Sequence, residues 1–119
     1  MEINAKELAL KVAKALDERL ARELSVIDVS GITEIAEYFV IATGTSSTHV
    51  KALADETEFK LKQEGILPGH IEGHNAKNWI AMDYGCVVVH IFDTEARAYY
   101  DLERLWSDGE KLDINFDEQ

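Results

Sequence analysis

"WIAMDYGCVVVHIF", residues 79–92, decides how this chain folds. Two β-rich runs, Trp79–Asp83 and Val87–Phe92, are separated only by Tyr84, Gly85 and Cys86. So short a connection containing a glycine marks a hairpin. In the second run His90 alternates with Val88 and Phe92, so it points to one face of its strand. Trp79 and Tyr84 bracket the hairpin beside Asp83 and Gly85, where side chains reach the rim of a sheet.

On the N-terminal side of the hairpin, residues 66–78 are polar and contain glycine, with "HIEG" readable as a short strand. Before them, "TSSTHVKALADETEFKLKQEG" offers hydroxyl caps at Thr45 to Thr48, then sets Val50, Leu53, Ala54, Thr57 and Leu61 on one helical face. It closes at Gly65 with Pro68 just beyond. "YFVIATG" is a continuous apolar run of the kind that fills a central strand, and "ELSVIDVSG" alternates tightly enough for another. From Asn4 to about Arg22, Leu8, Val12, Leu16 and Leu20 recur every four residues behind an Asn4/Glu7 cap, which predicts an amphipathic helix. Beyond the hairpin, Thr94 to about Trp106 reads as one helix. Ala98, Tyr99, Leu102, Leu105 and Trp106 take its apolar side, and Arg97, Asp101 and Arg104 the other, so that core packing accounts for Tyr99 and Trp106. The sum is a single α/β domain, residues 1–107, with a mixed sheet of about five strands flanked by helices, and a short acidic tail over 108–119.

Composition narrows the function. The chain has 119 residues, is 46% hydrophobic and carries one proline, which suits one core. Acidic residues outnumber basic ones 23 to 12. The net charge of -11 repels phosphate backbones and attracts basic proteins, so direct DNA binding is not expected. Cys86 is the only cysteine, so no intrachain disulfide forms. The acidic start lacks a signal peptide's basic segment, and no stretch reaches the ~18 apolar residues of a membrane span; a cytoplasmic protein with no membrane partner is expected.

Several constellations invite chemistry. "FVIATGTSSTHV" has the strand, small-residue turn and helix start that can hold an anion, but lacks the lysine and glycine spacing of a phosphate loop. The same layout opens nucleotidyltransferase folds, in which two carboxylates spaced two apart on one strand hold magnesium. Here Asp55 and Glu56 are adjacent within a helix, and no second acid stands two residues from Asp83, with Asp93 lying past the next strand. His90 lacks an orienting carboxylate and a nucleophile, and reads as a histidine satisfied by a hydrogen bond at the sheet surface. Of the histidines, only His70 and His74 have ligand spacing, and they fall in a loop, so no metal site is expected. Cys86 has no histidine at a recognisable spacing. What remains is the aromatic and acidic rim of the hairpin, the composition of a protein interface.

"YFVIATGTSSTHVKALAD", "IEG", "WIAMDYG", "VVVHIF" and "RAYYDLERLW", in order and with unbroken spacing from about Leu24 to Trp106, together resemble the Iojap family, also called ribosomal silencing factor. The resemblance implies a domain related in fold to nucleotidyltransferases but without their catalytic carboxylates, needing no cofactor and no metal and having no catalytic residue. It implies binding to the fourteenth protein of the large ribosomal subunit, where the small subunit would dock, so that subunit joining is blocked and translation is repressed when nutrients are scarce. On the same ground Glu72, Trp79, Asp83, Tyr84 and Gly85 are placed near the contact surface. The family usually has an acid after "DYG", and here Cys86 removes that charge. Two other readings are a divergent nucleotidyltransferase or nucleotide-binding enzyme using the "TGTSS" turn, and a homodimer formed through an exposed sheet edge.

Overall fold

The computed structural model describes residues 4–73, 78–112 and 114. The first helix, α1 (Ala5–Glu18), starts where the sequence puts it. Asn4 accepts the Glu7 N–H at 2.8 Å, and its own side-chain amide donates to the Glu7 carboxylate at 2.8 Å. Leu8, Val12 and Leu16 are buried, but the fourth member of the expected stripe is not. Leu20 lies outside the helix in the left-handed region, with φ 66, and its side chain is exposed. The helix therefore ends one turn early.

Strand β1 (Arg22–Asp28) pairs antiparallel with β2 (Tyr38–Gly44), with an irregularity between Arg22 and Ser25 where Glu23 has φ 48. Helix α2 (Ser47–Gln63) follows, capped by Ser46, and its buried residues are Val50, Leu53, Ala54, Thr57 and Leu61, the face its spacing predicts. Thr57 is tolerated inside because its hydroxyl donates to the Leu53 carbonyl at 2.9 Å. Then come β3 (His70–Glu72), β4 (Trp79–Asp83) and β5 (Val87–Asp93). The β4–β5 hairpin turns through Gly85 at φ +90, and the Asp83 carboxylate accepts the Gly85 N–H at 2.7 Å.

The sheet has six strands in the order β3-β4-β5-β2-β1-β6. Only β2 and β5 run parallel, so it is mixed, as expected. The strand beyond the expected five is β6 (Glu110–Lys111), from the segment read as an acidic tail. It pairs with β1, and Leu112 N–H donates to the Val26 carbonyl at 2.8 Å. A Cβ on Gly109 would stand 2.7 Å from the Asp28 carbonyl oxygen, so the chain reaches β1 only because that residue is glycine.

Alternation splits the sheet into two cores. Val26, Val40, Ile80, Met82, Val89 and Ile91 pack with α1 and α2 on one side. Ile27, Phe39, Ile41 and Phe92 form a smaller cluster on the other, under the C-terminal helices.

The single helix expected over 94–106 is two. Helix α3 (Thr94–Tyr100) and α4 (Leu102–Leu105) are separated by Asp101 at φ 47, a left-handed conformation that aspartate enters more readily than most residues. The break rotates the two halves relative to a continuous stripe. Arg97, expected outside, turns inward, its side chain 10% exposed, and donates to Thr43 Oγ1 at 2.9 Å, Ser25 Oγ at 3.3 Å and Glu103 at 2.8 Å. Tyr99 and Leu105, expected inside, are 82% and 70% exposed. Trp106 does pack, edge-on to Phe39 with ring centroids 5.3 Å apart.

Candidate docking face

Strand register decides which side chains share a face. Glu72 lies opposite Ala81, and Ala81 opposite His90. His70 lies opposite Asp83, and Asp83 opposite Val88; Trp79 lies opposite Phe92. Residues directly opposite one another point the same way. Glu72, Trp79, Ala81, Asp83, Val88, His90 and Phe92 therefore all stand on the face away from α1 and α2. Helix α3, with the α4 segment, covers the β5–β2–β1 part of that face through Arg97, Glu103 and Trp106. It reaches β4 through the contact of Tyr100 with Trp79. Among the described residues no element lies over the β3–β4 half, where Glu72 and Asp83 are exposed and Trp79, Ala81, Val88 and His90 are half-buried.

Four described residues of this half, Glu72, Gly73, Trp79 and Ala81, line a shallow cavity of about 180 Å³. An aromatic row runs from it. The Trp79 ring lies 5.1 Å from Phe92 and 4.5 Å from Tyr100, and Tyr100 meets Tyr99 edge-on at 5.1 Å. Tyr100 is 43% and Tyr99 82% exposed, so the row passes from sheet to surface. Beneath it, Trp79 Nε1–H donates to His90 Nδ1 at 3.2 Å. Burial pulls the pKa of His90 down to about 4, so the ring is neutral near pH 7. The expected hydrogen bond of His90 is present, but the histidine sits under aromatic rings, edge-on to Phe39 at 5.3 Å and stacked on Phe92.

The five contact residues expected from the sequence thus divide. Glu72, Trp79 and Asp83 share the open face, with the Glu72 carboxylate 3.2 Å from His70 Nε2. Gly85 forms the exposed turn at its end. Tyr84 turns to the opposite side, half-buried against the helix-covered core, and its buried hydroxyl has no hydrogen-bond partner among the described residues. Burial, and secondarily the charge of Glu58, push its pKa up to about 12. Sequence reasoning put Tyr99 and Leu105 inside and left Tyr100 unplaced, because the break at Asp101 leaves no mark in the spacing. The link between His90 and Trp79 was available, since alternation in both strands of a hairpin puts the two on one face.

The groups weighed for other chemistry have structural partners. In the "TGTSS" turn, Thr45 N–H donates to His49 Nδ1 at 2.9 Å, Ser46 Oγ accepts the His49 N–H at 3.1 Å, and His49 Nε2–H donates to the Arg19 carbonyl at 2.8 Å. Asp55 pairs with Lys51 at 3.2 Å, and Asp93 caps α3 by accepting the Ala96 N–H at 2.8 Å. Asp83 is held in the hairpin turn. His74 of the His70/His74 pair lies outside the described residues, among which no three metal-ligating side chains cluster. Burial raises the pKa of the half-buried Cys86 thiol, as does the charge of Glu37. No helix among the described residues is long and apolar enough to cross a membrane.

Known proteins resemble both the chain and its fold. The family model described as "Ribosomal silencing factor during starvation" matches residues 2–119. A ribosomal silencing factor of Bacillus subtilis is 36% identical over 114 residues, which is 96% of this chain and 97% of that one. The mouse protein named "Mitochondrial assembly of ribosomal large subunit protein 1" is 33% identical over 97 residues, covering 77% of this chain and 42% of its own length. A crystal structure of a Chromobacterium violaceum protein matches with a TM-score of 0.86 at 32% identity over 98% of each chain. With sequence and fold agreeing over nearly the whole length, the chain belongs to the ribosomal silencing factor family.

Proposed function

We propose that this chain binds the large ribosomal subunit through that subunit's fourteenth protein, on the surface where the small subunit docks. Occupying that surface blocks subunit association and represses translation under nutrient limitation. The observation that carries the reading is the open β3–β4 half of the sheet face, where Trp79 begins an aromatic row leading through Tyr100 to the exposed Tyr99. Rigid aromatics at the centre of a patch, with carboxylates around them, are what a protein partner anchors on. Glu72, Asp83 and the Gly85 turn supply that rim, and Tyr84 supports the turn from behind. The net charge of -11 suits a basic ribosomal protein and disfavours RNA as the direct contact. Family membership and the large subunit in the mouse relative's name point the same way.

The role is steric, without turnover, because the acids nearest the "TGTSS" turn and the hairpin are occupied in an ion pair, a helix cap and a turn. A magnesium-dependent nucleotide transfer abolished by Asp83→Asn would overturn that.

The docking test is co-sedimentation with isolated large and small subunits, repeated with Trp79→Ala. The chain should travel with large subunits only. The variant should lose roughly thirtyfold in affinity, about 2 kcal/mol, while remaining folded. Equal binding to both subunits, or unchanged affinity of a folded Trp79→Ala, would sink the docking reading.

A further inference from the structure

We propose that His90 is the positioning residue of the docking face: its Nδ1 accepts the Trp79 indole N–H and so fixes the plane of the one large side chain that joins the open sheet face to the aromatic row. The proposal rests on the docking reading and says what makes the anchor rigid. Trp79 is half-buried, and among the described residues Phe92 and Tyr100 pack against its ring while Glu72, Gly73 and Ala81 share a shallow cavity with it. A flat ring held by packing alone can turn in its own plane. The hydrogen bond at 3.2 Å opposes that turning, because it acts at one edge of the indole and has a direction.

His90 is itself packed on two sides. Phe39 meets it edge-on at 5.3 Å, Phe92 stacks on it with an interplanar angle of 10°, and its strand is internal, bonded to β4 on one side and β2 on the other. Because the indole can only donate, Nδ1 must be the unprotonated nitrogen, and the ring proton sits on Nε2. Burial keeps the ring in that neutral form at physiological pH, which preserves the acceptor. A partner residue landing on Trp79 then meets a surface whose ordering cost is already met within the free protein, and preorganisation of this kind raises affinity without adding a contact.

Asparagine and leucine provide the test, since they have nearly the same shape and differ in whether an acceptor remains near the position of Nδ1. His90→Leu should bind isolated large subunits about tenfold more weakly, and His90→Asn within about threefold of the unmodified chain. In ¹⁵N-edited spectra the indole N–H of Trp79, assigned by its loss in Trp79→Phe, should shift and exchange faster with solvent in His90→Leu, and stay near its original position in His90→Asn. Thermal melts identify any variant that fails to fold, and His90→Phe, which keeps an aromatic ring and removes the acceptor, then replaces it in the comparison. Unchanged binding by a folded acceptor-less variant, with Trp79→Ala still losing affinity, overturns the positioning role and leaves the docking reading standing. Equal losses in folded Asn and Leu variants overturn it too, because the acceptor is then irrelevant. Unchanged binding by a folded Trp79→Ala removes the docking reading, and this inference with it.

Discussion

The two faces of the β4–β5 hairpin are built from alternate residues of the same fourteen and have opposite fates. Ile80, Met82, Val89 and Ile91 are fully buried beneath α1 and α2. Their immediate neighbours Trp79, Ala81, Val88 and His90 are only half-buried. Hydrophobicity alone does not explain the difference, since Trp79, Ala81 and Val88 are as apolar as core residues and Phe92, on the same face, is buried. What separates the faces is whether the chain has a helix to lay over them. Helices α1 and α2 cover the hairpin residues of one side, whereas among the described residues the short, broken α3–α4 segment leaves Trp79, Ala81 and Val88 partly accessible beside the exposed Glu72 and Asp83.

The contrast can be broken most directly by Ile80→Ala. On the covered face the substitution leaves a cavity and should cost about 2–5 kcal/mol, a large part of the stability of a small domain, read as a lower urea midpoint. The molecules that remain folded should bind large subunits normally. A small loss of stability would mean that the covered face is not the core.

A second effect is read with pH on the open face. The folded-state pKa of His90 lies near 4 against an ordinary value of 6.5, so the unfolded chain takes up the proton first. Stability from this residue is full above about pH 6.5 and is lost as pH falls from 6.5 towards 4, by roughly 3 kcal/mol. His90→Leu should remove that slope. Glu103 acts lower. Burial works to raise its pKa but is outweighed by the hydrogen bonds from Ser25 and Arg97 and by the charges of Arg97 and Lys111, so the net value falls below 4.5. Its contribution is present above pH 4.5 and disappears as pH drops through the lower folded value, which separates the two residues in a series of melts. An unchanged slope between pH 6.5 and 4 in His90→Leu would reject the burial of the imidazole.

Smaller still, Tyr84→Phe should leave stability unchanged or raise it by about 1 kcal/mol, because it deletes a buried hydroxyl that has no hydrogen-bond partner among the described residues. A loss of that size would reveal a hydrogen bond and reassign the residue. The least effect on folding belongs to Tyr99→Ala, within about 0.5 kcal/mol given 82% exposure, while binding to large subunits should weaken. Equal binding would confine the docking face to the sheet.

These outcomes also mark how far the sequence carries. The hairpin, the buried face of α2 and the Asn4 cap could be read because each is written in local spacing or in one capping side chain. Asp101 could not. Its spacing is compatible with a helix interior, and the kink goes with Arg97 turning onto Thr43 and Ser25, partners 54 and 72 residues away in sequence. Such long-range closure has no periodic trace, and with it went the orientations of Tyr99, Leu105 and Arg97. Tyr84 is a different lapse: counting two residues from Met82 places it on the helix side, whereas grouping it with Trp79 as a hairpin bracket ignored the pleat. The sixth strand escaped because two charged residues, Glu110 and Lys111, show no alternation to read.

That sixth strand imposes an order of events on a chain made from one end. Strand β1 leaves the ribosome early, and β2 can zip onto one side of it soon afterwards. The other side waits for Leu112 to meet Val26, and the Ser25 hydroxyl waits for a carboxylate 78 residues further on. Until Gly109 has emerged and slid against Asp28, the nascent protein carries a bare row of peptide groups along β1, free to pair with a neighbouring chain on the same messenger. Two residues of strand cover that end of β1.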